Sequence, residues 1–269
     1  MRLYKRDYSL LVLSEISQLA AIEQKAIVHD KNGKPTLLRR PVYRKYPKAV
    51  RHFMSLFPNN YLDIVDLKQE RKPHKILFEF RSLLNTPNVS ERALINFIRN
   101  KGAFFIIASI LKDNYHFGHH DAYIFPEFPL GNTYKADYLL VGKSSGGYEF
   151  VFVELESAQG CVTTKDGELG SVFRKGYNQI IAWNEWIEAN FHFLSESFSK
   201  LKKSTERLDE EFLKFDKSRI HYCLVAGRRS DFSSKTYRIR RRFKQNNILL
   251  LHYENLMDCS NRIIGKDTY

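Results

Sequence analysis

Asp137, Glu154 and Glu156 flank the stretch Ser144-Ser-Gly-Gly147, whose composition predicts a tight turn between two strands. A turn centred between 145 and 146 leaves Asp137 and Glu154 equidistant from it, so the two carboxylates face each other at roughly 5 Å between Cβ atoms. Strand alternation places Glu156, Phe150 and Phe152 on the same face as Glu154, while Val151, Val153 and Leu155 point the other way. Like charges opposed in a sheet repel, and carboxylates ending an apolar strand are costly unless solvated or bound to metal. Mg²⁺ or Mn²⁺ prefers such oxygen ligands, keeps several waters and touches phosphate. The matching chemistry is metal-assisted hydrolysis of a phosphodiester. The alternative is an exposed hairpin end whose acids pair with Lys135 or Lys143.

Period-two patterning predicts strands over 122–128, 136–142 and 148–156, with a turn-like stretch over 129–133. Upstream, Ser90 is suited to cap a helix carrying Leu94, Phe97 and Ile98, and 104–111 either continues it or forms its own. Downstream, a long helix is expected over 171–193. Tyr177, Ile180, Ile181, Asn184, Ile187 and Phe191 share one side of it, with Trp183 flanking, which predicts burial around much of its circumference. The charged stretch 195–217 reads as a surface helix. Strands follow at 220–226 and 248–251, with a basic helix over 237–244 between them. The N-terminal part, 1–84, looks different. A strand is expected over 9–16, a hairpin over 25–38 turning at Asn32-Gly33, and helices over 46–56 and 75–84.

The 269 residues are 43% hydrophobic, enough for a core, and carry 43 Lys+Arg against 30 Asp+Glu, a net charge of +13. Such basicity points to an anionic partner, above all nucleic acid. Candidate phosphate contacts are Arg228 and Arg229 after the 220–226 strand, and Arg240, Arg241, Arg242 and Lys244 on the basic helix. A further basic cluster runs from Arg39-Arg40 to Arg51. Tyr237 and Phe243 could stack on bases or anchor that helix. Cys161, Cys223 and Cys259 are odd in number and lack a CxxC spacing, which argues against a disulfide framework and a zinc knuckle and suggests a reducing cytoplasm. No run reaches 18 apolar residues and no signal peptide is read, so no membrane partner is expected. His116, His119 and His120 form either a zinc site or a polar loop near the substrate path.

Glu91, Pro126-Glu-Phe-Pro-Leu-Gly131, Ala136-Asp-Tyr-Leu-Leu-Val141, Phe152-Val-Glu-Leu-Glu156 and Tyr177-Asn-Gln-Ile-Ile-Ala-Trp-Asn-Glu-Trp186 together resemble the Shedu antiphage nuclease domain, of the PD-(D/E)xK superfamily. The resemblance spans about 85–227. It implies that Asp137 and Glu154 bind metal, that Glu91 is the acid supplied by the first helix, and that Gln179 is the polar residue sent in by the following helix. The family often places Lys two residues after the second acid, where this chain has Glu156. Lys165 or Lys175 could supply the missing charge. Lys175 is preferred, one turn before Gln179 on the same helix face.

The expected architecture is α/β (α+β): a restriction-endonuclease-like core, residues 85–269, with a mixed central sheet flanked by helices, and a smaller sensing module, residues 1–84. The expected function is a cytoplasmic, homo-oligomeric, Mg²⁺- or Mn²⁺-dependent endonuclease acting on phage or other foreign DNA. The alternative is a degenerate nuclease fold that binds nucleic acid as a sensor.

Overall fold

A computed structural model describes residues 3–29, 35–37 and 43–269. The organising element is a five-stranded mixed sheet. Its strands are β3 (Asp121–Leu130), β4 (Tyr134–Ser144), β5 (Gly147–Leu155), β6 (Ile220–Val225) and β7 (Ile248–Leu251), in that spatial order. β3, β4 and β5 are antiparallel neighbours, because short turns join them. β6 and β7 then pair in parallel, because helical crossovers separate them from the preceding strand. All three parallel strands end at the same edge, where Glu154 and Glu156 lie.

Alternation along β4 and β5 builds a core on each face. Tyr138, Leu140, Val151, Val153 and Leu155 pack with α4 (Arg71–Leu84), α5 (Glu91–Lys101), α6 (Phe105–Asn114) and α9 (Tyr253–Ile263). Leu139, Val141, Phe150 and Phe152 pack with α7 (Ser171–Leu201) and α8 (Ser234–Lys244). Trp183, Phe128, Phe150, Phe152 and Phe173 are among the largest side chains fully withdrawn from water. Each contributes roughly 1.5–3 kcal/mol by burial.

The N-terminal part shares these cores. Leu62, Leu67, Ile76, Leu77, Phe80 and Leu84 join the first, and Phe57 and Tyr61 the second. The segment around Tyr61 also lies along the edge strand: Leu62 N–H donates to Ala122 O at 2.9 Å, and Ile124 N–H donates to Asn60 O at 3.0 Å. Short helices α2 (Lys48–Phe53) and α3 (Ile64–Leu67) flank it.

Four sequence expectations are corrected. Residues 9–16 do not form a strand. They lead into helix α1 (Leu13–Ala26), whose start Glu15 holds by accepting from the Val12 N–H at 3.0 Å and pairing with Arg6. β1 (Ile27–His29) and β2 (Pro35–Leu37) do form the expected hairpin, but Asn32-Gly33, like Arg39-Arg40, lies outside the described residues. Helix α7 runs on to Leu201, changing direction at Asn190, so of the surface helix expected over 195–217 only the part to 201 is helical, as its continuation, with short 3-10 turns at Glu210–Phe212 and Lys217–Arg219 beyond. It buries a single stripe, Phe173, Gly176, Ile180, Trp183, Ile187, Phe191, Leu194 and Phe198, and leaves Ile181 exposed. Helix α9 was missed, although Leu256, Met257, Ser260 and Ile263 recur at helical spacing behind a His252 cap. Among the described residues no single helix is long and apolar enough to cross a membrane.

Candidate active site

The hairpin register runs as the turn requires, with Tyr138 opposite Val153 as its last paired rung. The next positions are Asp137 and Glu154. Asp137 Oδ2 accepts the Leu155 N–H at 2.8 Å, which ties the acid of β4 to the end of β5. Glu156 is fixed through its backbone: its N–H donates to Val225 O at 2.8 Å, and the Tyr253 hydroxyl donates to its carbonyl at 2.7 Å. Glu154 and Glu156 are only 5% and 2% exposed.

Two helices complete the cluster. Ser90 caps α5 by accepting the Ala93 N–H at 3.2 Å, and Glu91 follows in the first turn, where the helix dipole favours an acid. Lys175 projects from the second turn of α7. Its Nζ lies 2.7 Å from Glu156 Oε2 and 3.7 Å from Glu91 Oε2. Gly176 permits this approach, because a Cβ there would meet Leu224 Cδ1 at 2.3 Å and Glu156 Cγ at 3.0 Å. The helix therefore presses onto the sheet end and delivers its lysine to the strand carboxylate.

The charges are poorly compensated. Burial pushes the Glu154 carboxyl up to about 10, with Asp137, Glu156 and Glu91 adding repulsion. Burial likewise raises Asp137 to about 7, against the pull of the Leu155 N–H. Glu156 is raised by burial, and Lys175 opposes that rise through its hydrogen bond. The same bond raises Lys175 itself, which stays an ammonium. Glu154 Oε2 and Glu156 Oε1 are buried without a hydrogen-bond partner among the described residues. Buried acceptors without donors suit a cation. Among the described residues, however, no three His, Cys, Asp or Glu side chains already stand in a metal-binding arrangement.

The exposed-hairpin alternative fails on two counts. The strand glutamates are buried, and both lysines pair elsewhere, Lys135 with Glu127 at 3.0 Å and Lys143 with Asp209 at 2.9 Å. Gln179 follows Lys175 by one turn of α7 and is half-buried. Lys165 lies in the loop before α7, where its carbonyl accepts from Lys235.

The predicted phosphate-binding residues divide. Arg228 is consumed internally. It donates to Glu254 Oε1 at 2.6 Å, Leu84 O at 2.9 Å and Asn85 Oδ1 at 2.8 Å, so it clasps α4 to α9. Arg229 pairs with Asp258. Burial opposes ionisation of Glu254, but bonds from His252, Arg228 and the Arg229 backbone hold it down to about 2. Arg228→Ala should therefore cost about 2–3 kcal/mol at pH 7, read as a lower urea midpoint with unchanged slope. Arg241, Arg242 and Lys244 are exposed and Arg240 half-buried, and none enters an ion pair among the described residues. They occupy the end of α8 away from the acids, because this helix runs antiparallel to β6 and β7. Phe243 is buried against Tyr177, so it anchors the helix. His119 and His120 precede β3 beside the partner of Lys143, at the opposite end of the sheet from Asp137, about 20 Å along the strand. They are not beside the acidic cluster.

A further acid, Glu127, stands in the Pro126–Gly131 motif. Glu127 sits opposite Asp137, where the β3–β4 ladder skips a rung between Pro126↔Tyr138 and Phe128↔Ala136. The motif's final Gly131, at φ +60°, packs on Trp186, where a Cβ would meet Cζ2 at 2.7 Å.

The family model described as Shedu protein SduA, C-terminal, matches residues 88–257, more than half of the chain and all of the acidic cluster. No match to a curated protein was found.

Proposed function

We propose, from the premise that this chain belongs to the Shedu family, that it is a divalent-metal-dependent nuclease that hydrolyses DNA phosphodiesters. Membership of the family points to antiphage defence. The observation that carries the nuclease reading is the convergence of Glu91, Asp137, Glu154 and Glu156 on one sheet end, with two buried carboxylate oxygens lacking donors and one ammonium among them. The antiparallel hairpin that leads into parallel strands, covered by helices on both faces, is also what a PD-(D/E)xK core requires.

In this reading Asp137 and Glu154 would hold Mg²⁺ or Mn²⁺, with Glu91 and Glu156 in support. Bound there, the ion supplies Lewis acidity and lowers the pKa of a bound water. The protein's own groups do the rest. Glu156 occupies the strand position where the family often has lysine, and its carboxylate instead recruits a lysine from α7. Lys175 stays protonated, so it serves as a hydrogen-bond donor and point charge and not as a general base. It would orient the attacking water and offset charge developing on the phosphate oxygens. The Leu155 N–H holds Asp137 in place while it does so.

Lys175→Gln is expected to lower the cleavage rate about 10²-fold, with Lys175→Arg recovering part of it, and to leave DNA affinity in chelator within about threefold. The reading as a whole is tested by incubating linear and supercoiled DNA, and a parallel RNA, with the protein in Mg²⁺, Mn²⁺ or EDTA. Metal-dependent DNA cutting supports it. Tight DNA binding without cutting under any metal would instead make the chain a sensor, and preferential RNA cutting would change the substrate.

A further inference from the structure

The Pro126–Gly131 motif holds one residue in a left-handed conformation at the point where β3 shifts phase, so that Phe128 and Leu130 after it enter the same core as Tyr123 and Phe125 before it. Glu127 has φ +50°, in the left-handed region that side chains with a Cβ avoid. It lies on β3, the edge strand of the sheet. The conformation coincides with the missing ladder rung opposite Asp137, and it turns the Glu127 carboxylate toward two cations. Arg99 from α5 donates to Oε2, and Lys135 from β4 donates to Oε1 at 3.0 Å. All three side chains are about half exposed, so the pairs add little to stability. The phase shift accounts for the backbone, so what the Glu127 side chain itself does is hold these two cations.

The placement of the two cations gives them a use. Lys135 is two residues before Asp137 on β4, near enough for its charge to act on the Asp137 carboxyl. Arg99 comes from the same helix as Glu91. One carboxylate thus brings together cations from two elements that also supply acids to the cluster. Arg99 spends one of five N–H donors on Glu127, and Lys135 one of three, which leaves both able to grip a phosphate.

We propose that Glu127 is a positioning residue that holds Arg99 and Lys135 as a two-cation clamp for the DNA backbone beside the Asp137 cluster. The proposal rests on the nuclease reading for its substrate, and its test is separable from that reading. Binding of a short fluorescent duplex to the full chain is followed by anisotropy in EDTA, where no cutting occurs, from 50 to 200 mM KCl. Arg99→Gln and Lys135→Gln should each weaken binding about fivefold and reduce the slope of log K against log salt by about 0.9. The discriminating variant is Glu127→Gln. A carboxylate that merely repels DNA predicts tighter binding once it is removed. A positioning carboxylate predicts binding about threefold to tenfold weaker, with a shallower salt slope. Glu127→Gly, which accepts the left-handed backbone freely, checks the fold: it should melt no lower than wild type yet bind as weakly as Glu127→Gln. Equal or tighter binding by Glu127→Gln overturns the clamp, even if the protein cuts DNA. Absence of cutting with metal, alongside clamp-dependent binding, overturns the nuclease reading and leaves the clamp standing. Failure of the wild type to bind duplex overturns the clamp as well.

Discussion

Asp137→Asn should lower metal-dependent DNA cleavage on the order of 10³-fold or more while leaving the fold intact. The substitution keeps the shape of the side chain and one oxygen, which can still accept the Leu155 N–H that Asp137 Oδ2 now accepts at 2.8 Å. It removes the negative charge that would bind the ion. A metal stabilises transition-state charge strongly enough to account for a loss of that size, since tenfold in rate corresponds to only about 1.4 kcal/mol. The loss should fall on kcat, because DNA contacts on the rim are untouched. Circular dichroism and DNA binding in EDTA should match wild type, which separates a chemical defect from a folding one. Near-normal cleavage by this variant would remove Asp137 from the mechanism.

Glu154→Gln should do the opposite to stability: the metal-free variant at pH 8 should be more stable than wild type, by on the order of 3 kcal/mol. Glu154 is raised from its ordinary 4.5 to about 10, chiefly by burial and then by Asp137. For an acid whose folded pKa is raised, the folded state binds more protons than the unfolded one between those two values. Stability is therefore full below about pH 4.5 on this account and falls as pH rises toward 10. Asp137, raised to about 7, adds to the same slope. Wild type in EDTA should thus have a lower urea midpoint at pH 8 than at pH 5.5, and Glu154→Gln should flatten that dependence. Mn²⁺ at saturating concentration should raise the wild-type midpoint at pH 8 and not that of the variant, because only the native carboxylates bind it. A wild type equally stable in EDTA at both pH values would contradict the raised carboxyls of Glu154 and Asp137.

These two results would come from the part of the molecule that was most legible in the sequence. A turn of known position and a period of two are local facts, and they sufficed to oppose Asp137 to Glu154 and to set Glu156 beside them. The preference for Lys175 also rested on helix spacing, and the lysine does meet Glu156, at 2.7 Å. What could not be read depends on tertiary packing. The depth of burial of the glutamates comes from α7 pressing down at Gly176, which no local pattern announces. Arg228 looked like a free surface cation until Glu254, Leu84 and Asn85, distant in sequence, enclosed it. Glu127 was hidden because its left-handed backbone is unusual for a non-glycine residue. Residues 9–16 misled because apolar content alone does not distinguish a strand from the lead into a helix. Residues 1–84 look different from the rest by sequence, and among them Leu62, Phe80 and Leu84 pack into the same core as the sheet.

The most direct test of the metal-centred account is anomalous diffraction from a crystal soaked in Mn²⁺. A single strong peak within about 2.1–2.2 Å of carboxylate oxygens from both Asp137 and Glu154 is the expected result. Lys175 should remain within reach of Glu156. A fully occupied Mn²⁺ elsewhere in the molecule, with the Asp137–Glu154 pair bare and Lys175 still seated between Glu156 and Glu91, would contradict it.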